Sequence, residues 1–81
     1  MRVNVAFYSY FKDLTGCVGF AETLPECSTL DDLVKRVTAR FPKLAGLRKS
    51  MLVAVGLEYQ GSGYKLKDGD EISFFPPVQG G

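Results

Sequence analysis

Residues Ser28 to Pro42 read STLDDLVKRVTARFP, and this stretch decides the fold. Leu30, Leu33, Val34, Val37 and Phe41 recur at helical spacing, so one apolar stripe is available for burial. Ser28 followed three residues later by Asp31 fits a capping box of the looser kind, and Pro42 marks the end. Asp31 and Asp32 in the first turn, with Lys35, Arg36 and Arg40 after them, suit the helix dipole. The same charges give the i,i+4 pairs Asp31 to Lys35 and Asp32 to Arg36, and read as a solvated face. It is the clearest helix in the chain, and the one large enough to cover a sheet.

On its N-terminal side, Arg2 to Tyr8 alternates. Val3, Val5 and Phe7 fall on one face, and Arg2, Asn4, Ala6 and Tyr8 on the other, as in a strand with one buried side. Asp13 to Gly19 is turn material, and a second strand from about Phe20 to Leu24 stops before Pro25, which cannot donate to a ladder. These two strands are expected to form a hairpin. On the C-terminal side, Leu44 and Leu47 lie in an irregular connection. Met51 to Val55 is almost wholly apolar and is expected to be a central strand covered on both faces. Gly56 breaks it, Leu57 to Gln60 forms a short edge strand, and Gly61 to Gly63 is a flexible link. In Lys67-Asp68-Gly69-Asp70 the Asp-Gly pair supplies positive φ for a tight turn into the last strand, Glu71 to Phe75.

One amphipathic helix packed across a mixed sheet is an α+β two-layer domain. With a leading hairpin and a last strand that could return beside the first, the order is compatible with a β-grasp, the ubiquitin-like fold. Residues 1–75 are expected to form the globular domain and 76–81 an extended tail.

Composition narrows the function. The 81 residues include 46% hydrophobic and 23% charged side chains, close to the averages of globular domains. A chain of this size buries roughly 60% of the surface its unfolded form exposes. Ten basic and nine acidic residues give a net charge of +1, mixed along the chain, so neither nucleic acid nor an anionic membrane is an expected partner. No apolar run approaches the ~20 residues of a membrane span, and the opening MRVNVAFYSYFKDL lacks signal-peptide features. The expected location is cytoplasmic. The chain has no histidine, which removes Ser-His-Asp chemistry and most zinc sites. Cys17 and Cys27 lack the local cationic partner that holds a thiolate at neutral pH, and both read as structural or incidental. No phosphate loop, dinucleotide fingerprint or paired-Cys metal motif occurs.

The remaining candidate is the end, Pro76-Pro77-Val78-Gln79-Gly80-Gly81. Two prolines hold the chain extended and keep it off the sheet edge. At ~3.3 Å per residue, six positions reach roughly 20 Å. Gly80 and Gly81 can pass a constriction that a Cβ would block. A free carboxylate is a poor electrophile, so its use requires an enzyme that joins it to AMP. A sulfur donor displacing AMP leaves a terminal thiocarboxylate, whereas a lysine leaves an isopeptide bond. A closing Gly-Gly arises by chance in about 0.5% of chains, so a plain interaction module with an incidental tail stays open.

The run Leu66-Lys67-Asp68-Gly69-Asp70-Glu71-Ile72-Ser73-Phe74-Phe75-Pro76-Pro77-Val78-Gln79-Gly80-Gly81 closely resembles the C-terminal signature of the molybdopterin synthase small-subunit family, sulfur carriers of the ubiquitin-like superfamily. The length, the opening strand, the Leu30-Asp32-Leu33 helix start and the apolar strand Met51 to Val55 resemble it too. Gly56, where many members carry Asn, is a departure that touches local turn geometry. The resemblance implies that Gly81 is the reacting residue, and that Gly80, Gln79, Val78, Pro77 and Pro76 thread a partner's channel. It implies an E1-like adenylating enzyme that uses ATP, a sulfurtransferase, and a large synthase subunit in a 2+2 heterotetramer. That subunit would supply the catalytic lysines and the site where sulfur passes to cyclic pyranopterin monophosphate. No cofactor is expected on this chain. A related carrier for thiamine thiazole synthesis, or a ubiquitin-like protein modifier, is the nearest alternative.

Parity locates a docking face. Ile72 and Phe74 point to the core, which leaves Glu71, Ser73 and Phe75 on the other side. Phe75 is expected at the centre of an interface that also includes Ala6, Tyr8, Leu52 and Ala54, offered to both the large subunit and the activating enzyme.

Overall fold

The computed structural model describes residues 1–77. Among them, strands β1 (Arg2–Phe7), β2 (Gly19–Thr23), β3 (Leu52–Val55), β4 (Glu58–Tyr59) and β5 (Glu71–Phe75) form one sheet in the order β2-β1-β5-β3-β4. β1 and β5 run parallel, and the other neighbours are antiparallel. Two helices, α1 (Phe11–Thr15) and α2 (Leu30–Arg40), and a 3₁₀ segment at Pro42–Leu47 complete the architecture.

The alternation read in β1 is realised. Val3, Val5 and Phe7 are buried with Ile72 and Phe74 of β5, and Leu30, Leu33, Val34 and Val37 of α2 close over them. Phe7 meets Phe41 edge to face at 5.4 Å and Phe74 at 5.8 Å. Phe11 from α1 and Leu44 from the 3₁₀ segment, both fully buried, fill out this core. A single helix layer covers one face of the sheet, in keeping with the expected α+β arrangement.

The Lys67–Asp70 turn fixes β5 against β1. Gly69 adopts φ +86°, a value that favours glycine. From there its N–H donates to the Arg2 carbonyl at 2.8 Å, the Arg2 N–H donates to Asp68 Oδ1 at 2.7 Å, and the Asn4 N–H donates to the Asp70 carbonyl at 2.9 Å. The resulting register pairs Ala6 with Ser73 and Phe7 with Phe74. Gly56 stands at φ +60° as the first central residue of the two-residue link between β3 and β4. Asn tolerates such a backbone as well, which accounts for the departure at this position.

Several expectations are corrected. The segment read as turn material, Asp13 to Gly19, overlaps the last three residues of α1, a helix of five residues and too short to show a periodic stripe. The N-cap of α2 is Thr29, and its capping box closes with Asp32. Ser28, one residue earlier, donates its hydroxyl to the Pro25 carbonyl at 2.7 Å. Asp32 is therefore committed to the cap, and the expected Asp32 to Arg36 pair gives way to an Arg36 bond with the Thr23 carbonyl at 3.3 Å. Asp31 does pair with Lys35, at 3.2 Å, and also with Arg48. The central strand is β5. β3 lies between β5 and the edge strand β4, and the helix layer covers only one of its faces.

Candidate docking face and tail exit

The face of the sheet away from α2 is built from alternate residues of four strands. Across its middle run Ala6, Ser73 and Ala54, paired in register. Their small side chains keep that row flat. Toward the end of β5 the residues become large: Leu52 pairs with Phe75, and Tyr59 of β4 pairs with Ala54. Tyr8 follows the last residue of β1, its N–H donating to the Phe74 carbonyl at 3.2 Å.

Phe75 organises this end. Its ring stacks on Tyr8 with centroids 4.7 Å apart and planes 15° from parallel, and it meets Tyr59 edge to face at 6.2 Å. Both geometries suit the ring quadrupoles. Phe75 is half-buried, while Tyr8 and Tyr59 remain 44% and 66% exposed. An apolar groove of about 410 Å³ opens beside them, bounded by Ser9, Tyr10, Leu52, Tyr59, Phe75, Pro76 and Pro77. Ser9 holds φ 56°, a left-handed backbone that costs a non-glycine residue roughly 1 kcal/mol. That turn separates Tyr8, which stays on the sheet face, from Tyr10, which lines the groove.

Of the expected interface residues, Phe75, Tyr8, Ala6 and Leu52 present accessible surface here, and Ala54, 7% exposed, is part of the floor. Tyr59, Tyr10 and Ser9 also belong to the site and were not read from sequence. The edge strand Leu57 to Gln60 was legible, but nothing in two paired residues gives the register that brings Tyr59 against Phe75. Pro76 and Pro77 leave the sheet at the groove. Val78, Gln79, Gly80 and Gly81 lie outside the described residues.

Among the described residues no three His, Cys, Asp or Glu side chains are grouped to hold a metal, and no helix is long and apolar enough to cross a membrane. Both cysteines are free. Cys27 is exposed, and Cys17, half-buried and packed against the core, places its sulfur 3.8 Å from the Thr15 hydroxyl. Asp31 is held below the usual carboxylate range by hydrogen bonds from Lys35 and Arg48, but it sits on the helix layer, away from this face. Among the described residues this site is aromatic, aliphatic and hydroxyl-bearing, with Glu71 and Ser73 farther along the same face, and Pro76 and Pro77 carry the chain off the sheet beside it.

A five-stranded mixed sheet with parallel first and last strands in its interior, one main helix across it and a last strand followed directly by Pro76 and Pro77 is a ubiquitin-like β-grasp protein. The ThiS family matches residues 5–81, and the chain belongs to that family. It is 31% identical over 81 residues to the molybdopterin synthase sulfur carrier subunit of Escherichia coli, covering 98% of this chain and 99% of that one. Its fold is similar to that of a candidate molybdopterin converting factor subunit 1 from Pyrococcus furiosus, with TM-score 0.88 and 28% identity over 96% of this chain and 99% of that one. It is also similar to a chain in the complex of subunits 1 and 2 of the Helicobacter pylori molybdopterin-converting factor, with TM-score 0.73 and 27% identity over the whole of both chains.

Proposed function

We propose that this chain is the sulfur carrier of a molybdopterin synthase, and that its working group is the carboxyl of Gly81. The observation that carries the reading is the aromatic end of the open sheet face: Phe75, braced by Tyr8 and Tyr59, is the last residue before the Pro76-Pro77 exit. A partner seated on this surface receives the tail at a fixed distance and direction. Similarity to a protein solved as a complex of two converting-factor subunits supports a large subunit as that partner.

The chemistry follows from the weakness of a carboxylate as an electrophile. In the adenylating partner the Gly81 carboxylate attacks the α-phosphorus of ATP, pyrophosphate leaves, and an acyl adenylate forms. Hydrosulfide from a sulfur donor then attacks the acyl carbon, AMP leaves with the C–O bond electrons, and Gly81 ends as a thiocarboxylate, anionic at neutral pH and nucleophilic through sulfur. Within the large subunit that sulfur attacks a carbon of cyclic pyranopterin monophosphate, forming a C–S bond as a C–O bond of the same carbon breaks and its oxygen leaves. Water cleaves the acyl–sulfur bond, the sulfur stays with the pterin, and the carboxylate is regenerated. Residues 1–75 bind and orient, while 76–81 deliver.

Removing Gly80 and Gly81 tests the reading. In a mixture of large subunit, adenylating enzyme, ATP, sulfur donor and cyclic pyranopterin monophosphate, the shortened chain still binds the large subunit and forms no molybdopterin. Product formation by the shortened chain contradicts the proposal. Attachment of the unshortened chain to protein lysines in place of sulfur transfer would identify a modifier.

A further inference from the structure

The expected mixing of charge fails in one segment. Between Leu33 and Leu57 the chain carries Lys35, Arg36, Arg40, Lys43, Arg48 and Lys49 and no carboxylate, while all nine Asp and Glu residues lie outside it with the other four cations. All six cations are exposed. Three stand on α2, Lys43 is in the 3₁₀ segment, and Arg48 and Lys49 follow it. They lie on the helical layer, across the domain from the aromatic sheet face.

Their contacts leave much of this charge available. Asp31 takes up Lys35 and Arg48. Arg36 donates to the neutral Thr23 carbonyl at 3.3 Å, and the Arg40 guanidinium lies 4.2 Å from the centroid of Phe20 and 5.3 Å from that of Phe41. A carbonyl and two rings hold these side chains in place without neutralising them, so less rotamer freedom remains to be lost on binding. Lys43 and Lys49 form no ion pair among the described residues. Between Arg36 and Arg40 stands exposed Ala39, whose methyl lets another backbone approach the helix.

We propose that this helical face docks an acidic peptide segment of a partner protein, on the opposite side of the domain from the tail exit. Single-stranded nucleic acid is disfavoured because its binding surfaces interleave cations with open aromatic rings. Here the nearest rings, Phe20 and Phe41, are covered by Arg40. A second copy of the chain is disfavoured because its densest carboxylate group, Asp68, Asp70 and Glu71, has two members engaged by the backbone N–H groups of Arg2 and Lys67 and stands beside the cations Lys65 and Lys67. The surface leaves the sheet face free, so a partner held here can stay bound while the tail is engaged elsewhere.

The test is a titration of the ¹⁵N-labelled full chain with octaglutamate, an acidic peptide of uniform sequence, at low ionic strength. Amide shifts are expected at Arg36, Ala39, Arg40, Lys43 and Lys49 and not at Tyr8, Ser73 or Phe75. The double variant Lys43→Glu/Lys49→Glu should bind roughly ten-fold more weakly, since two exposed, individually weak ion pairs are lost. Salt near 1 M, where the Debye length is about 3 Å, should remove the shifts. If the reversed variant does not fold, Lys43→Gln/Lys49→Gln is expected to show a smaller loss in the same direction. Shifts on the sheet face, or undiminished binding by the folded variants, overturn the proposal. So does tighter binding of oligouridylate at the same residues, or salt-sensitive self-association that the reversed charges abolish.

Discussion

Phe75→Ala separates bracing from binding. Truncating a fully buried phenylalanine costs ~3–5 kcal/mol. Phe75 is only half-buried, so the loss of transfer energy and of its two ring contacts comes to roughly 2 kcal/mol. For a domain of this size, where 1 kcal/mol moves the midpoint by about 4–8 °C, the melting temperature should fall by roughly 10 °C. The variant remains folded at 25 °C if the parent has an ordinary stability of ~5–15 kcal/mol. Calorimetric titration against the purified large subunit should then show affinity lowered about thirty-fold, the effect of losing an anchor of ~2 kcal/mol. Tyr59→Ala should follow in the same direction with a smaller change in stability, because its ring is 66% exposed. Unchanged affinity for a Phe75→Ala chain whose melting temperature has dropped as expected would mean that the ring braces the sheet face and contributes nothing to docking.

Three further outcomes are expected. One residue appended after Gly81, and not trimmed, should abolish sulfur transfer while shifting stability by less than ~0.5 kcal/mol, as judged by product assay and thermal melting. The Cys17→Ser/Cys27→Ser double variant should fold and accept sulfur at the parental rate, measured by intact mass after reaction with the adenylating enzyme and donor. Asp31, held below its ordinary carboxylate range by Lys35 and Arg48, should stabilise the fold above the unfolded-state pKa and lose that contribution as pH falls through its lowered native value. Carboxyl NMR titration of the parent and of Arg48→Gln checks the sign, since the variant's Asp31 should titrate closer to the ordinary range.

The division between what the sequence revealed and what it concealed has physical causes. Strands β1 and β5 were legible because one buried face imposes a period of two, and Val3, Val5, Phe7, Ile72 and Phe74 obey it. The helix was legible by its stripe, but its first residue was not. Ser28 with Asp31 and Thr29 with Asp32 satisfy the same spacing, and the choice fell to long-range contacts. Asp31 reaches Arg48, seventeen residues away, while the Pro25 carbonyl holds the Ser28 hydroxyl. The apolar run at Met51 to Val55 suggested a central strand because composition reports burial and not neighbours. Strand order depends on pairings as distant as Asn4 with Glu71. At the site, Phe75 followed from parity alone, whereas Tyr59 and Tyr10 depend on an edge register and on the left-handed turn at Ser9, neither of which leaves a local pattern.

The account rests on sulfur being carried at the carboxyl of Gly81, and the most direct measurement is the intact mass of the chain after incubation with adenylating enzyme, ATP and sulfur donor, followed by fragmentation. The expected product is heavier than the starting chain by the difference between one sulfur and one oxygen atom, with the change confined to the C-terminal fragment. A chain of unchanged mass, or one heavier by a whole sulfur atom located on Cys17 or Cys27, would contradict it.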